Sequence, residues 1–153
     1  MKRFFVQQAT ETVILERENH KHLSLVLRAR PGDRVVLCPQ DGYDYIYEIT
    51  AIHKNDTTLT LLDKLPNDKE PRVKLTVFFA LLKGDKNELV AQKLTELGAS
   101  EISPFVSEYC VAGRSDKHRE RLTRVCEEAA KQCGRAVVPT VRADIPFADL
   151  PQK

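Results

Sequence analysis

Near residue 70 the apolar residues of this chain change period, and that change limits what the chain can fold into. Up to Leu62 they come in short β-branched and aromatic runs separated by turn residues. From Val73 onward, strand-like runs alternate with stretches of helical spacing. Between the two lies Pro66-Asn67-Asp68-Lys69-Glu70-Pro71, polar and bracketed by prolines, as suits a domain boundary. An α/β chain of two modules is therefore expected, residues 1–70 and residues 73–153.

In the first module Lys2–Val6 and Thr12–Leu15 read as strands. A helix over His20–Arg30 is predicted from Leu23, Val26 and Leu27, with Pro31-Gly32-Asp33 ending it. Arg34–Cys38, Asp44–His53 and Thr57–Leu62 read as three further strands, joined by turns at Pro39–Gly42 and Lys54–Asp56. The expected product is a compact antiparallel sheet or small β-barrel.

The second module reads as βαβαβ, which implies a parallel sheet with right-handed crossovers. Leu75–Leu82 is nearly continuous in apolar residues, as for a strand buried on both faces. Asp85 with Glu88 forms a capping-box pattern for a helix running to Leu97, and Gly98 stands at its expected left-handed stop. Glu101–Val106 is a second strand. Lys117–Cys133 is a helix whose Leu122, Val125, Cys126, Ala129 and Ala130 share one face, and a third strand is expected near Val137.

Composition excludes several functions. The first 72 residues hold 11 Lys/Arg against 11 Asp/Glu and the whole chain carries +2, so contacts to nucleic acid must come from local patches. No apolar run approaches the roughly 20 residues that span a bilayer, and Gln7-Gln8 interrupt the N-terminus too early for a secretory signal. A cytoplasmic location without membrane partners is expected. Cys38, Cys110, Cys126 and Cys133 have no zinc-ligand spacing, so core positions are expected and no metal site.

Lys83–Ala99 followed by Ile102-Ser103-Pro104 carries the pattern Gln92-Lys93-x-x-Glu96-Leu97-Gly98. Further on, Glu128-Ala129-Ala130-Lys131-Gln132-Cys133-Gly134-Arg135 is followed by Val138-Pro139. With Arg3-Phe4-Phe5, His22 and Val26-Leu27-Arg28 before Gly32-Asp33, these stretches resemble, in colinear order, the 16S ribosomal RNA (uracil-N3)-methyltransferase family of the RsmE type. The resemblance implies a PUA-like β-barrel that docks RNA, followed by the first part of a SPOUT methyltransferase domain. It implies S-adenosylmethionine as cofactor, small-subunit ribosomal RNA or the 30S subunit as partner, and a homodimer. The family's Gly-Pro-Glu-Gly-Gly and Leu-Gly-Pro-Arg segments, which belong to its cofactor-binding knot, do not occur here. The cofactor site is thus expected beyond Lys153, and these residues alone are expected to be inactive. Lys131 stands where that family often has an acidic residue.

Arg3, His22 and Arg28 are candidates to grip RNA phosphates, against ordinary solvation, a turn or cap role for His22, or a helix-end role for Arg28. Arg114, Lys117, Arg121 and Arg124 follow helical spacing beside His118 and Arg119. They form either a phosphate-tracking stripe or a solvated face. Gln132 and Arg135 are the candidate catalytic donors, because methylation at uracil N3 displaces a proton and leaves charge on O2 and O4 that such donors stabilise. The bland alternative has Arg135 capping carbonyls and Gln132 solvated. Glu96, and with it Glu128, is a candidate proton acceptor, against pairing with neighbouring cations. Two rival functions stay open: an RNA-binding module without catalysis, and a metabolite-binding βαβ protein. The missing glycine fingerprint weighs against a dinucleotide ligand for the latter.

Overall fold

The computed structural model describes residues 1–110 and 116–151. It divides into two compact units, Met1–Asp68 and Lys69–Lys153. Glu70, left with the first module in the sequence reading, therefore belongs to the second.

The first unit is a curled half-barrel of five strands: β1 (Lys2–Phe5), β2 (Thr12–Glu16), β3 (Arg34–Cys38), β4 (Tyr43–Ile52) and β5 (Asp56–Pro66), in the order β1-β3-β4-β5-β2. Only β1 and β3 run parallel; the other pairs are antiparallel. Alternation along β4 puts Tyr45, Tyr47 and Ile49 against Phe4, Leu23 and Leu59 in the main core. Ile46, on the opposite face, packs with Val36 and Cys38 in a second cluster. That second cluster explains why both alternating sets of this strand contain apolar residues. β5 runs past Leu62 to Pro66, pairing Leu65 with Asp44, so the polar segment read as a linker begins inside the sheet.

The predicted helix over 20–30 takes another form. A short helix, α1 (Arg17–Lys21), leads into a π-turn over His22–Val26, closed by the Leu27 amide donating to the His22 carbonyl at 2.9 Å. The wider winding keeps Leu23 in the core and turns Val26 out to solvent.

In the second unit β7 (Glu101–Val106) is central. It pairs in parallel with β6 (Thr76–Ala80) on one side, and with the two short strands β8 (Thr140–Val141) and β9 (Ile145–Pro146) on the other. Helices α2 (Lys86–Glu96) and α3 (Asp116–Cys133) pack together, and Ala91, Leu122 and Cys126 meet Ile102, Val77 and Phe79 in the core. β6 alternates instead of being buried on both faces: Val77 and Phe79 point into that core while Phe78 is 37% exposed. Asp85 holds the N-cap position of α2 without a side-chain bond; Asn87 instead bonds both the amide and the carbonyl of Leu82 at 2.8 Å. At the other end Gly98 (φ +92°) closes the helix as expected, with Ala99 N–H donating to Leu94 and Gly98 N–H to Thr95. Among the described residues no helix is long and apolar enough to cross a membrane.

Candidate functional site

The two motifs of the second unit meet at the C-terminal end of α2. Arg135 follows Gly134 (φ +81°), which ends α3 and throws the next side chain back across the unit. The guanidinium is 3% exposed. Its Nη1 donates to the carbonyls of Thr95 (3.1 Å) and Ala99 (2.7 Å), while Nε and Nη2 donate to Glu70 (3.2 and 2.8 Å). Glu70 also accepts from the amides of Ala136 (3.0 Å) and Val137 (3.1 Å). Those amides are therefore spent on a carboxylate, which delays the third strand from Val137 to Thr140. A cation at the negative end of α2, neutralised by a fixed carboxylate, is an internal clamp. Arg135 is thus corrected from a substrate donor to a buried brace. It caps carbonyls, as its bland alternative had it, but those of α2 and not of its own helix.

Glu96 is exposed and bonds Lys93 at 2.8 Å. Glu128 bonds Lys131 at 2.9 Å, and Lys131 also reaches Glu127. Burial weakens the Lys131 charge, yet these two carboxylates outweigh it and hold its pKa above the ordinary value. Both candidate proton acceptors therefore carry a lysine partner, the pairing with neighbouring cations that their alternative reading expected, at i,i+3 spacing.

Gln132 lies elsewhere. With Gln92, Arg124, Val125, Glu128 and Ala129 it lines an open depression of about 310 Å³ between α2 and α3. The side chains of Gln92, Arg124 and Gln132 form no hydrogen bond or ion pair among the described residues. One residue from each family-like motif, Gln92 and Gln132, thus stands in one recess with an unpaired guanidinium. Gln92 was legible only through its motif, because nothing local marks a half-buried helical glutamine.

The basic helix face is less uniform than its spacing predicts. Lys117 is exposed, Arg121 is ion-paired to Glu88 of α2, and Arg124 enters the depression. Arg114 lies outside the described residues.

In the first unit, the RNA-binding expectation for Arg3 is corrected by burial. Its two terminal nitrogens grip Asp44 at 2.5 and 2.6 Å, and Nη1 also meets Cys38 Sγ at 2.8 Å. Burial raises the Asp44 pKa, but the bonds from Arg3 and Asn67 overcome it and hold the carboxyl below its usual range. Burial pushes the Cys38 thiol up to about 12. His22 packs edge-on against Phe4, ring centres 5.6 Å apart. Arg28 is exposed at φ +50° and has no internal partner among the described residues. Among those residues no cluster of His, Cys, Asp or Glu could hold a metal ion.

The described residues thus form a curled five-stranded sheet unit followed by a parallel α/β unit with a polar recess between its two helices, a two-module α/β class of protein. The chain belongs to the RNA methyltransferase family: residues 68–153 match its RNA methyltransferase domain and residues 15–62 its PUA domain. It is 33% identical over 163 residues to ribosomal RNA small subunit methyltransferase E of Bacillus subtilis, covering 100% of this chain and 64% of that protein. The protein of the same name from Mesomycoplasma hyopneumoniae is 27% identical, covering 98% of this chain and 65% of its own length. The crystal structure of ribosomal RNA small subunit methyltransferase E from Neisseria gonorrhoeae, bound to S-adenosyl methionine, superposes with a TM-score of 0.89 at 28% identity. That match covers 100% of this chain and 67% of that one. The chain thus spans about two thirds of the length of these relatives.

Proposed function

We propose that this protein serves the transfer of a methyl group from S-adenosylmethionine to N3 of a uracil in small-subunit (16S) ribosomal RNA. The 30S subunit or its RNA is the partner, and a homodimer in the cytoplasm is the working state. The reading is carried by one observation: both units match, in order, the two domains of a family whose similar members are named for small-subunit ribosomal RNA. In it, the first unit (Met1–Asp68) docks RNA, and the second unit supplies substrate-side contacts through its α2–α3 depression.

The α2–α3 depression does not fit the cofactor. Its lining lies within α2 and α3 and away from their N-termini, so the backbone amides are tied up within the helices, and no aromatic side chain stands there to stack an adenine. The recess suits RNA better. Uracil loses its N3 proton, and the negative charge spreads to O2 and O4. Side-chain donors from Gln132, Gln92 and Arg124 are placed to meet such charge. Arg135 acts at one remove, as a positioning residue that fixes the end of α2 on which Gln92 is carried. Residues 1–153 on their own hold S-adenosylmethionine weakly and transfer no methyl group, since the family resemblance assigns the cofactor to a glycine-rich knot.

Nucleoside mass spectrometry of small-subunit ribosomal RNA, from cells with and without the gene, tests this function. Loss of 3-methyluridine on deletion supports it, and an unchanged level removes it. RNA affinity with no change in methylation would favour the RNA-binding module.

A further inference from the structure

The first unit carries a recess lined by none of its family-like candidates Arg3, His22 and Arg28. A concave pocket of about 740 Å³ opens between α1, the π-turn and the β4–β5 turn, a size that encloses one nucleotide. Its floor is fixed by His20, which is buried, with Nδ1 on Thr57 Oγ1 (2.9 Å) and Nε2 on the Lys54 carbonyl (3.3 Å). Both ring nitrogens are thereby used, and His20 ties α1 to the turn. Around the rim stand Arg17, Lys21 and Lys54, all exposed, and none forms an ion pair among the described residues.

Arg17 is the informative residue. Its backbone sits at φ +50°, a conformation that glycine adopts freely and a long side chain does not. No side-chain hydrogen bond or ion pair to the described residues compensates. A side chain kept at a strained position, without a partner inside the fold, points to a partner outside it.

Charge narrows the ligand. Glu16, Glu18 and Asp56 also line the pocket, balancing the three cations, so a bare anion is not the best fit. A ligand with both anionic and hydrogen-donating parts is. An unpaired RNA nucleotide has a phosphate for Lys21, Lys54 and Arg17, and base N–H and 2′-OH donors for the carboxylates. Its flat face can lie over the His53 ring or Leu25, which is 70% exposed. Duplex RNA keeps its bases stacked and cannot fill such a concavity. We infer that this pocket seats one extruded nucleotide of a single-stranded RNA segment. The inference rests on the proposed RNA-docking role of the unit, whose PUA-domain match spans every residue of the pocket.

The test is fluorescence anisotropy of the whole chain with a short labelled single-stranded RNA of mixed sequence, and with the same sequence as a duplex. Arg17→Gly relieves backbone strain, so it should keep or raise the melting temperature while weakening single-strand binding and lowering its salt slope by up to about 0.7, the value for one lost phosphate contact. Lys21→Gln with Lys54→Gln should lower the salt slope by up to about 1.4, at roughly 0.7 per phosphate contact. Wild-type affinity in the folded pocket variants overturns the site while leaving the RNA-docking role standing. Equal weakening of single strand and duplex also overturns it, reducing the pocket to surface charge. A wild-type chain that binds no RNA even at low salt overturns both.

Discussion

Replacing Arg135 by alanine removes four hydrogen bonds at once, two to Glu70 and two to the carbonyls that end α2. Glu70 keeps the amides of Ala136 and Val137 but loses its counter-charge. Breaking one side of a buried ion pair costs about 3–5 kcal/mol, mostly because the remaining charge stays desolvated. For a unit of this size each kcal/mol moves the melting temperature by roughly 4–8 °C, so a fall of at least about 12 °C is expected. Calorimetry measures it, and hydrogen exchange localises it: the amides of Ala91 and Ala129 should lose protection, while those of Tyr47 and Leu59 in the first unit keep theirs. Arg135→Lys preserves charge but not the planar fork, and should recover only part of the loss. A melting temperature within about 3 °C of wild type would refute the clamp and return Arg135 to the candidate substrate contacts.

Glycine substitutions should separate two similar helix ends. At Gly98 an added Cβ would lie 2.4 Å from Pro71 Cγ, on top of the cost of φ +92°, whereas at Gly134 the nearest atom, on Lys69, is 3.9 Å away. Gly98→Ala should therefore destabilise by more than the roughly 1 kcal/mol expected of Gly134→Ala, as read by thermal melts. Asp44 has a depressed folded pKa, so its contribution to stability is full above its unfolded pKa of about 3.9 and disappears as pH falls through the folded value. Urea titrations of Asp44→Asn should lack that acid-limb dependence. Alkylation followed by mass spectrometry should find Cys110 first, since the Ser107 amide and hydroxyl lower its pKa, and the buried Cys38 and Cys126 last.

Much of this fold was legible because local pattern and tertiary packing agree. The face containing Leu122, Cys126 and Ala129 became the buried face of α3, and Gly98 became the stop of α2. The misses share a cause: each depends on a partner far along the chain. Nothing near Glu70 foretells Arg135, 65 residues away, and the amides that this pairing occupies displaced the third strand. Arg3 read as a free cation because Asp44, 41 residues on, looked like the start of an ordinary strand. The π-turn followed from a winding that apolar spacing alone does not distinguish from an α-helix. Within the candidate site, Gln132 and Arg124 were named separately, from a motif and from a basic helix face, and their grouping with Gln92 emerged only when α2 and α3 were seen side by side.

The central claim concerns which atom of which base receives the methyl group. The direct measurement uses protein expressed from its gene, isotopically labelled S-adenosylmethionine, and 30S subunits from cells lacking that gene. The ribosomal RNA is then digested to nucleosides and the labelled product identified by mass spectrometry. The account predicts a single labelled nucleoside, 3-methyluridine. Label in a ribose-methylated, cytidine or 5-methyluridine product, or no label in the RNA at all, would contradict it.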